Sequence, residues 1–242
     1  MKVLSWNVNG LRSISRKGVL SIVKDYDVVM LQEIRSQDLT FDVLEAGFEV
    51  YAFPAARKGY SGVLTMSRSK PLKVIKGLGV YEFDVEGRVL TLELDKAYLI
   101  NAYFPRAGDD LSRLSFKLRF CEAFIGFVKG LMATKPVVAC GDFNVARDRL
   151  DSSFWDEKHP GLTREERECF SKILGEGLVD SFRLIHPNAR VYSWRSFRER
   201  WRAMRIDYCL VSEGVKDRVS SAEILTNVQG SDHYPVALLI DL

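Results

Sequence analysis

Little in this sequence marks a secreted or membrane-inserted chain. It has four cysteines, at 121, 140, 169 and 209, and no two stand at a metal-ligand spacing. That argues against a zinc site and leads us to expect reduced thiols buried in a cytoplasmic protein. No apolar run approaches the roughly 20 residues of a membrane-spanning helix, so no membrane partner is expected. The opening stretch, Met1-Lys2-Val3-Leu4-Ser5-Trp6-Asn7, enters a strand pattern directly, without the charged and apolar regions of a signal peptide. No Pro/Gly/Ser-rich linker, repeat or charge block divides the chain, so residues 1–242 are read as one domain. Charge of one sign is also missing. Lysine and arginine number 35 against 32 acids, a net charge of +3, and such a balance names no partner by itself.

What is present begins with Pro136-Val137-Val138-Ala139-Cys140-Gly141-Asp142-Phe143-Asn144. A short apolar run after a proline reads as a strand buried on both faces, and Gly141-Asp142 ends it. In extended geometry Asp142 and Asn144 would point to the same side and could grip one reacting atom. Asp27-Val28-Val29-Met30-Leu31-Gln32-Glu33 repeats the theme of an apolar strand that stops at an acid.

The remaining periodicities give an inventory. Strands are expected near 2–7, 48–53, 61–66, 72–78, 89–94, 98–103, 191–194, 205–212, 219–225 and 236–240. Val19, Ile22 and Val23 predict a helix over 16–26. Leu114, Leu118, Cys121, Ile125, Val128 and Met132 form a longer helical stripe, with Arg113, Lys117, Glu122 and Lys129 on a face expected to be wet. Thr163-Arg164-Glu165-Glu166 has the form of a capping box that starts another helix. The short connections 54–60 and 95–97 imply hairpins rather than crossovers. Two face-to-face sheets with helices outside accommodate this pattern better than one doubly wound parallel sheet.

Between 195 and 205 five arginines (195, 198, 200, 202, 205) face a single acid, Glu199, and Trp194, Phe197 and Trp201 are interleaved with them. That mixture suits a nucleic-acid backbone with an exposed sugar or base. His233, one of three histidines, follows Asp232 at the mouth of the last strand. Asn, Glu, Tyr, Asp, Asn, Asp and Asp-His together are the groups that phosphodiester hydrolysis with a hard divalent metal calls for. General base catalysis supplies only about 10²–10⁴-fold, so charge stabilisation at the phosphate must supply much of the rest.

These residues fall in recognisable strings: Asn7-Val8-Asn9-Gly10-Leu11-Arg12, Leu31-Gln32-Glu33, Lys58-Gly59-Tyr60-Ser61-Gly62, Tyr103-Phe104-Pro105, Gly141-Asp142-Phe143-Asn144-Val145-Ala146, Arg205-Ile206-Asp207-Tyr208 and Ser231-Asp232-His233. In that order, over nearly the whole chain, they resemble the motifs of the exonuclease III family of apurinic/apyrimidinic endonucleases. The resemblance implies a DNase I-like four-layer α/β sandwich, two packed mixed sheets flanked by helices, with the site at one edge. It implies a magnesium-dependent repair nuclease, with manganese as the alternative ion. Such an enzyme cuts damaged double-stranded DNA 5′ to abasic sites as a monomer, with 3′–5′ exonuclease or end-trimming activity.

Carried over by position, the catalytic set is Asp142, Asn144, His233, Tyr103, Asp207 and Asn7, and the metal set is Glu33, Asn9 and Asp232. Asp151 falls on the leaving-group side. Arg12, Arg35, Lys58, Tyr60, Arg106, Trp194, Phe197, Arg198, Trp201 and Met204 would meet DNA. The resemblance leaves the base open among Asp142, His233 and a tyrosinate. Arg106 stands where the family usually has Asn or Gln, Asn9 where some members have Asp, and Met204 where an aromatic is common. Two alternatives stay open: the same chemistry on undamaged or uracil-containing DNA or RNA, and a damaged-DNA-binding module without catalysis.

Overall fold

The computed structural model describes the backbone of residues 1–242 and every side chain except those of residues 19, 20, 41 and 42. In chain order the strands are β1 (Lys2–Asn7), β2 (Val28–Gln32), β3 (Glu49–Phe53), β4 (Val63–Ser67), β5 (Lys73–Lys76), β6 (Val89–Glu93), β7 (Tyr98–Tyr103), β8 (Val137–Asp142), β9 (Leu178–Asp180), β10 (Trp194–Arg195), β11 (Ala203–Met204), β12 (Asp207–Ser212), β13 (Val219–Ile224) and β14 (Val236–Ile240). The helices are α1 (Leu11–Arg16), α2 (Phe41–Leu44), α3 (Tyr81–Asp84), α4 (Leu114–Met132), α5 (Arg164–Gly175) and α6 (Ser181–Ile185). Sheet 1 runs β13-β14-β1-β2-β4-β3, sheet 2 runs β5-β6-β7-β8-β12-β9, and β10 with β11 forms a small ribbon. Within them β1 and β2, and β7 and β8, pair in parallel, while β3–β4 and β6–β7 are the expected antiparallel hairpins.

Alternation along the strands builds the layers. On β2, Val28 and Met30 face sheet 2, while Val29 and Leu31 pack with Leu11, Ile14 and Val23 outside sheet 1. On β8, Val138 and Cys140 face sheet 1, while Val137 and Ala139 pack under α4 and α5 with Phe120, Phe124 and Phe170. Three apolar interfaces therefore separate four layers, the DNase I-like α/β sandwich expected from the sequence. The two central strands run in close contact at Gly141, where a Cβ would lie 1.8 Å from the Ala102 carbonyl oxygen. Only glycine fits there.

Several expectations need correction. Instead of a helix over 16–26, α1 ends at Arg16 and a separate 3-10 turn spans Val19–Asp25, behind Gly18 in a left-handed conformation with φ 66. The expected apolar position at Val19 lies outside the described side chains. The strand expected at 191–194 is reduced to the two-residue β10. On α4 the buried side chains are Lys117, Phe120, Cys121, Phe124 and Val128, so Lys117 is not on a wet face. It pairs with Glu166 of α5 at 2.6 Å in the interior.

The thiols are paired rather than reduced. Cys121 of α4 bonds Cys169 of α5, and Cys140 of β8 bonds its register partner Cys209 of β12. The partners lie 48 and 69 residues apart in sequence, so only the fold brings them together. No described helix is long and apolar enough to cross a membrane.

Candidate active site

The period of two that sorts the core also delivers the polar strand ends. Asn7 continues the inward positions Val3 and Ser5 of β1, Asp142 continues Val138 and Cys140 of β8, and Tyr103 and Asp207 stand level with Asp142 on either side. Asn7, Tyr103 and Asp142 converge in a pit of 290 Å³ at one edge of the sandwich, where the two sheets part, and Asp207 lies behind its wall. The backbone around it is unusual. Asn9 (φ 48), Glu33 (φ 55), Arg35 (φ 49), Ser61 (φ 46) and Asn144 (φ 53) are non-glycine residues in left-handed conformations. Such strain persists only where surroundings over-determine it, and it concentrates at functional sites.

Sheet 1 supplies one half. Asn9 Nδ2 donates to Asp232 Oδ1 at 2.8 Å, and Trp194 Nε1 donates to Asp232 Oδ2 at 3.1 Å. Burial raises the Asp232 carboxyl, but the His233 charge and these donors outweigh it and hold its pKa below the usual carboxylate value. Arg35 pairs with Glu33 Oε1 through both its Nε and a terminal nitrogen. Asn7 Nδ2 spans the gap, donating to Glu33 Oε2 at 3.0 Å and to Asp142 Oδ2 at 2.9 Å.

Sheet 2 supplies the other half. Asp142 Oδ1 accepts from the Asn144 backbone N–H at 2.8 Å, and Asn144 Nδ2 donates to the Phe104 carbonyl at 3.0 Å. Asn144 therefore reaches Asp142 through a tight turn rather than along an extended strand. His233, entering from the sheet 1 side just before β14, contacts Asp207 Oδ2 through Nδ1 at 2.8 Å and stands 3.9 Å from Asp142 Oδ2 through Nε2. Burial pushes its imidazolium down, but Asp207, then Asp142, overcome this and lift its pKa to about 10. Asp142 is pushed up to about 7 by burial and by Asp207. Burial, then Glu33, raises the Tyr103 phenol well above its ordinary value, against the lowering effect of Arg88. A neutral phenol and a charged imidazolium are hydrogen-bond donors, and both stand beside the Asp142 carboxyl.

Comparison with known proteins places the chain in a family. The model of the endonuclease/exonuclease/phosphatase family matches residues 4–233. The chain belongs to that family. An exodeoxyribonuclease of Bacillus subtilis is 41% identical over 252 residues, covering 100% of both chains. A DNA-(apurinic or apyrimidinic site) endonuclease of Dictyostelium discoideum is 36% identical over 256 residues, covering 100% of this chain and 71% of that one. Among solved structures, a 3′ phosphatase from Neisseria bound to a product DNA hairpin superposes with TM-score 0.89 at 28% identity, covering 100% of both chains. The protein is therefore a family hydrolase of the nuclease type, in the exonuclease III and AP endonuclease group.

For this family member the structure gathers most of the sequence candidates. Asn7, Asn9, Glu33, Arg35, Tyr103, Arg106, Asp142, Asn144, Trp194, Met204, Asp232 and His233 line the pit. Asp207 stands behind His233, in contact with its Nδ1. Arg12, paired with Asp38, is at the surface, as are Lys58, Phe197, Arg198 and Trp201. Tyr60 accepts hydrogen bonds from Arg88 and Arg113 beside Tyr103.

Asp151 is a correction. It does not line the pit but is fully buried behind it, with Arg205 Nε on Oδ1 at 2.7 Å and Arg183 on the same oxygen. A carboxylate locked between two guanidiniums anchors the wall and cannot reach a leaving oxygen.

Several participants were missed. His159, Pro160 and Ile206 complete the wall beside Trp194 and Met204. Ser193 donates to Asp207 Oδ2 at 2.6 Å, and Arg88 lies over the Tyr103 ring at 4.7 Å. The His-Pro dipeptide sits in a polar loop, and nothing in its local pattern separates it from an ordinary turn. Asp142, Asp207 and His233 also place ligand atoms within 4.8 Å of one another, a cluster that could hold a metal ion.

Proposed function

We propose that this nuclease is a magnesium-dependent DNA repair enzyme that hydrolyses the phosphodiester 5′ to an abasic site, with trimming of 3′ ends at the same centre. The observation that carries the reading is the pairing of a charged floor, Glu33, Asp142, Asp232 and His233, with a wall of Trp194, Met204 and Ile206. A sugar without a base is extruded cheaply and suits an apolar wall, while its phosphate suits the floor. The exposed Phe197 and Trp201, 72% and 60% accessible among arginines, suit a duplex lying over the rim. The Dictyostelium relative is named for apurinic or apyrimidinic sites, and the Bacillus relative is named an exodeoxyribonuclease.

The donor set fits magnesium. Glu33, Asp232 and the Asn9 amide offer oxygen, the pit is open to water, and this ion needs only one or two carboxylates. The Asp142–Asp207–His233 cluster is the poorer seat, since Asp207 Oδ2 is already in contact with His233 Nδ1 and both Asp142 oxygens already accept hydrogen bonds from Asn7 and Asn144. An ion held by Glu33, Asp232 and Asn9 would supply positive charge to the phosphate. Asp142 takes the proton of the attacking water, held by Asn7 and Asn144. His233, kept charged by Asp207, and Tyr103 donate to the phosphoryl oxygens as charge develops.

The test is incision of a duplex with one abasic site against a matched undamaged duplex, in magnesium and in chelator. The proposal expects a single cut 5′ to the lesion, in magnesium only. Equal cutting of both duplexes would overturn the lesion specificity, and undiminished cutting in chelator would overturn the metal.

A further inference from the structure

The site is split between two sheets that meet mainly through apolar side chains such as Met30, Leu92, Leu99 and Val138. Apolar contact is non-directional and resists sliding weakly compared with hydrogen bonds of fixed geometry. Yet the reacting groups tolerate little slip. Asn7 Nδ2 bridges a sheet 1 carboxylate, Glu33, and a sheet 2 carboxylate, Asp142, with 3.0 and 2.9 Å contacts, and a shift of a few tenths of an ångström lengthens one of them. Something beneath the pit must fix the spacing.

Asn101 of β7 is fully buried, two residues before Tyr103 and level with Cys140. It projects from sheet 2 into sheet 1. Its Nδ2 donates to the Leu64 carbonyl at 2.9 Å, the Leu31 carbonyl at 3.2 Å and Thr65 Oγ1 at 3.2 Å. Its Oδ1 accepts from Gln32 Nε2 at 2.8 Å, and Gln32 is the residue immediately before Glu33. Gln32 is itself fully buried, and its Nε2 also donates to Ser5 Oγ at 3.1 Å, two residues before Asn7. The two amides thus join β7 to β1, β2 and β4, one step behind Glu33 and two steps behind Asn7 and Tyr103. Neither touches the pit.

We propose that Gln32 and Asn101 are positioning residues, an interior amide clasp that sets the spacing between the Glu33 half and the Asp142 half of the site. Buried polar groups are costly, and Gln32 Oε1 has no hydrogen-bond partner, yet the directed bonds that Gln32 Nε2 and Asn101 do make specify one arrangement where packing alone permits several. The clasp controls the approach of the two halves, not the make-up of either. It therefore acts on turnover and leaves metal binding, which belongs to sheet 1, unchanged. This inference rests on the nuclease reading above.

The experiment uses Asn101→Leu, which removes the amide at similar volume, and Gln32→Met, which removes it from the other side should the first fail to fold. Steady-state cleavage of the abasic duplex is measured on protein shown folded by its thermal melt. Magnesium affinity is measured by calorimetry without DNA. We expect kcat to fall by about 10²-fold, as for a 1 Å misplacement of reacting groups, with KM and magnesium affinity near wild type.

A crystal structure of the variant should show Asn7 still hydrogen-bonded to one of its two carboxylates and parted from the other. A lower melting temperature with unchanged kcat would reduce the clasp to a stability element and overturn the proposal. So would an Asn7 bridge left intact. A wild type that cuts no DNA would overturn the functional reading alone, since the Asn7 geometry still tests the clasp.

Discussion

The two edges that form the pit are built differently. The sheet 1 edge is a set of hard oxygen donors, Glu33, Asn9 and Asp232, held by turns in left-handed conformations and by Arg35. The sheet 2 edge is one lateral row, Tyr103, Asp142 and Asp207, held by strand register and backed by the Cys140–Cys209 bridge. A loop-built half can adapt its donors to an ion, whereas a register-built half holds its members at a fixed mutual spacing. In the proposed mechanism metal affinity belongs to sheet 1, and the proton and phosphate chemistry to sheet 2 and His233.

The sharpest way to break this division is at Asp142. Asp142→Asn should lower kcat on an abasic duplex by about 10²–10⁴-fold, the contribution of a general base, and DNA affinity, read by fluorescence anisotropy, should hold. His233→Ala should cost about 10²–10³-fold, as for a lost oxyanion donor. Equal loss of DNA binding in both variants would mean that these residues hold DNA rather than act on it.

A second test concerns what steadies sheet 2. Lys117 contacts both the Asn144 carbonyl and Glu166, and Glu166 Oε2 accepts from Gly161 N at 2.7 Å, next to Pro160 of the wall. Lys117→Met should cost about 3–5 kcal/mol, because it leaves a buried carboxylate unpaired, and Lys117→Met with Glu166→Gln should recover much of that. Burial raises the Glu166 carboxyl, but Lys117 and the Thr163 and Gly161 donors outweigh it and depress its pKa. A depressed folded-state pKa gives stability that is present above the unfolded value of about 4.3 and lost as pH falls towards the folded one. Urea unfolding of Glu166→Gln should therefore show a shallower acid limb than wild type.

The smallest expected effect lies on the rim. Replacing Arg198, Arg200 and Arg202 with alanine should weaken DNA binding and lower the slope of log affinity against log salt by roughly one for each phosphate no longer neutralised. An unchanged slope would remove this loop from the DNA footprint and leave the pit to hold the duplex by itself.

What was legible in the sequence follows from the range of the interactions. The strand ends at Asn7, Tyr103 and Asp142 could be read because alternation and a terminal polar residue are local signals, while β2 stops at Gln32, one residue before the expected Glu33, and the roles at these ends came from the family resemblance. The capping box at Thr163 could be read for the same reason, and the structure shows both of its reciprocal hydrogen bonds. Asp151 could not be placed, because its partners Arg183 and Arg205 lie 32 and 54 residues away.

Lys117 looked solvated for a related reason, its partner Glu166 being 49 residues distant. Ser193, Gln32 and Asn101 are ordinary polar letters in strand-like stretches, and only the packing of one sheet on the other gives them partners. The left-handed turns at Glu33 and Asn144 leave no mark either, since neither residue is a glycine.

The division between the two edges is tested most directly by titrating magnesium into the DNA-free protein by calorimetry, for wild type, Glu33→Gln and Asp142→Asn. The account predicts that Asp142→Asn binds the ion as wild type does and that Glu33→Gln loses at least about 10-fold in affinity, as even outer-sphere changes at metal sites do. Loss of affinity in Asp142→Asn with Glu33→Gln unaffected would place the ion in the Asp142–Asp207–His233 cluster and contradict it.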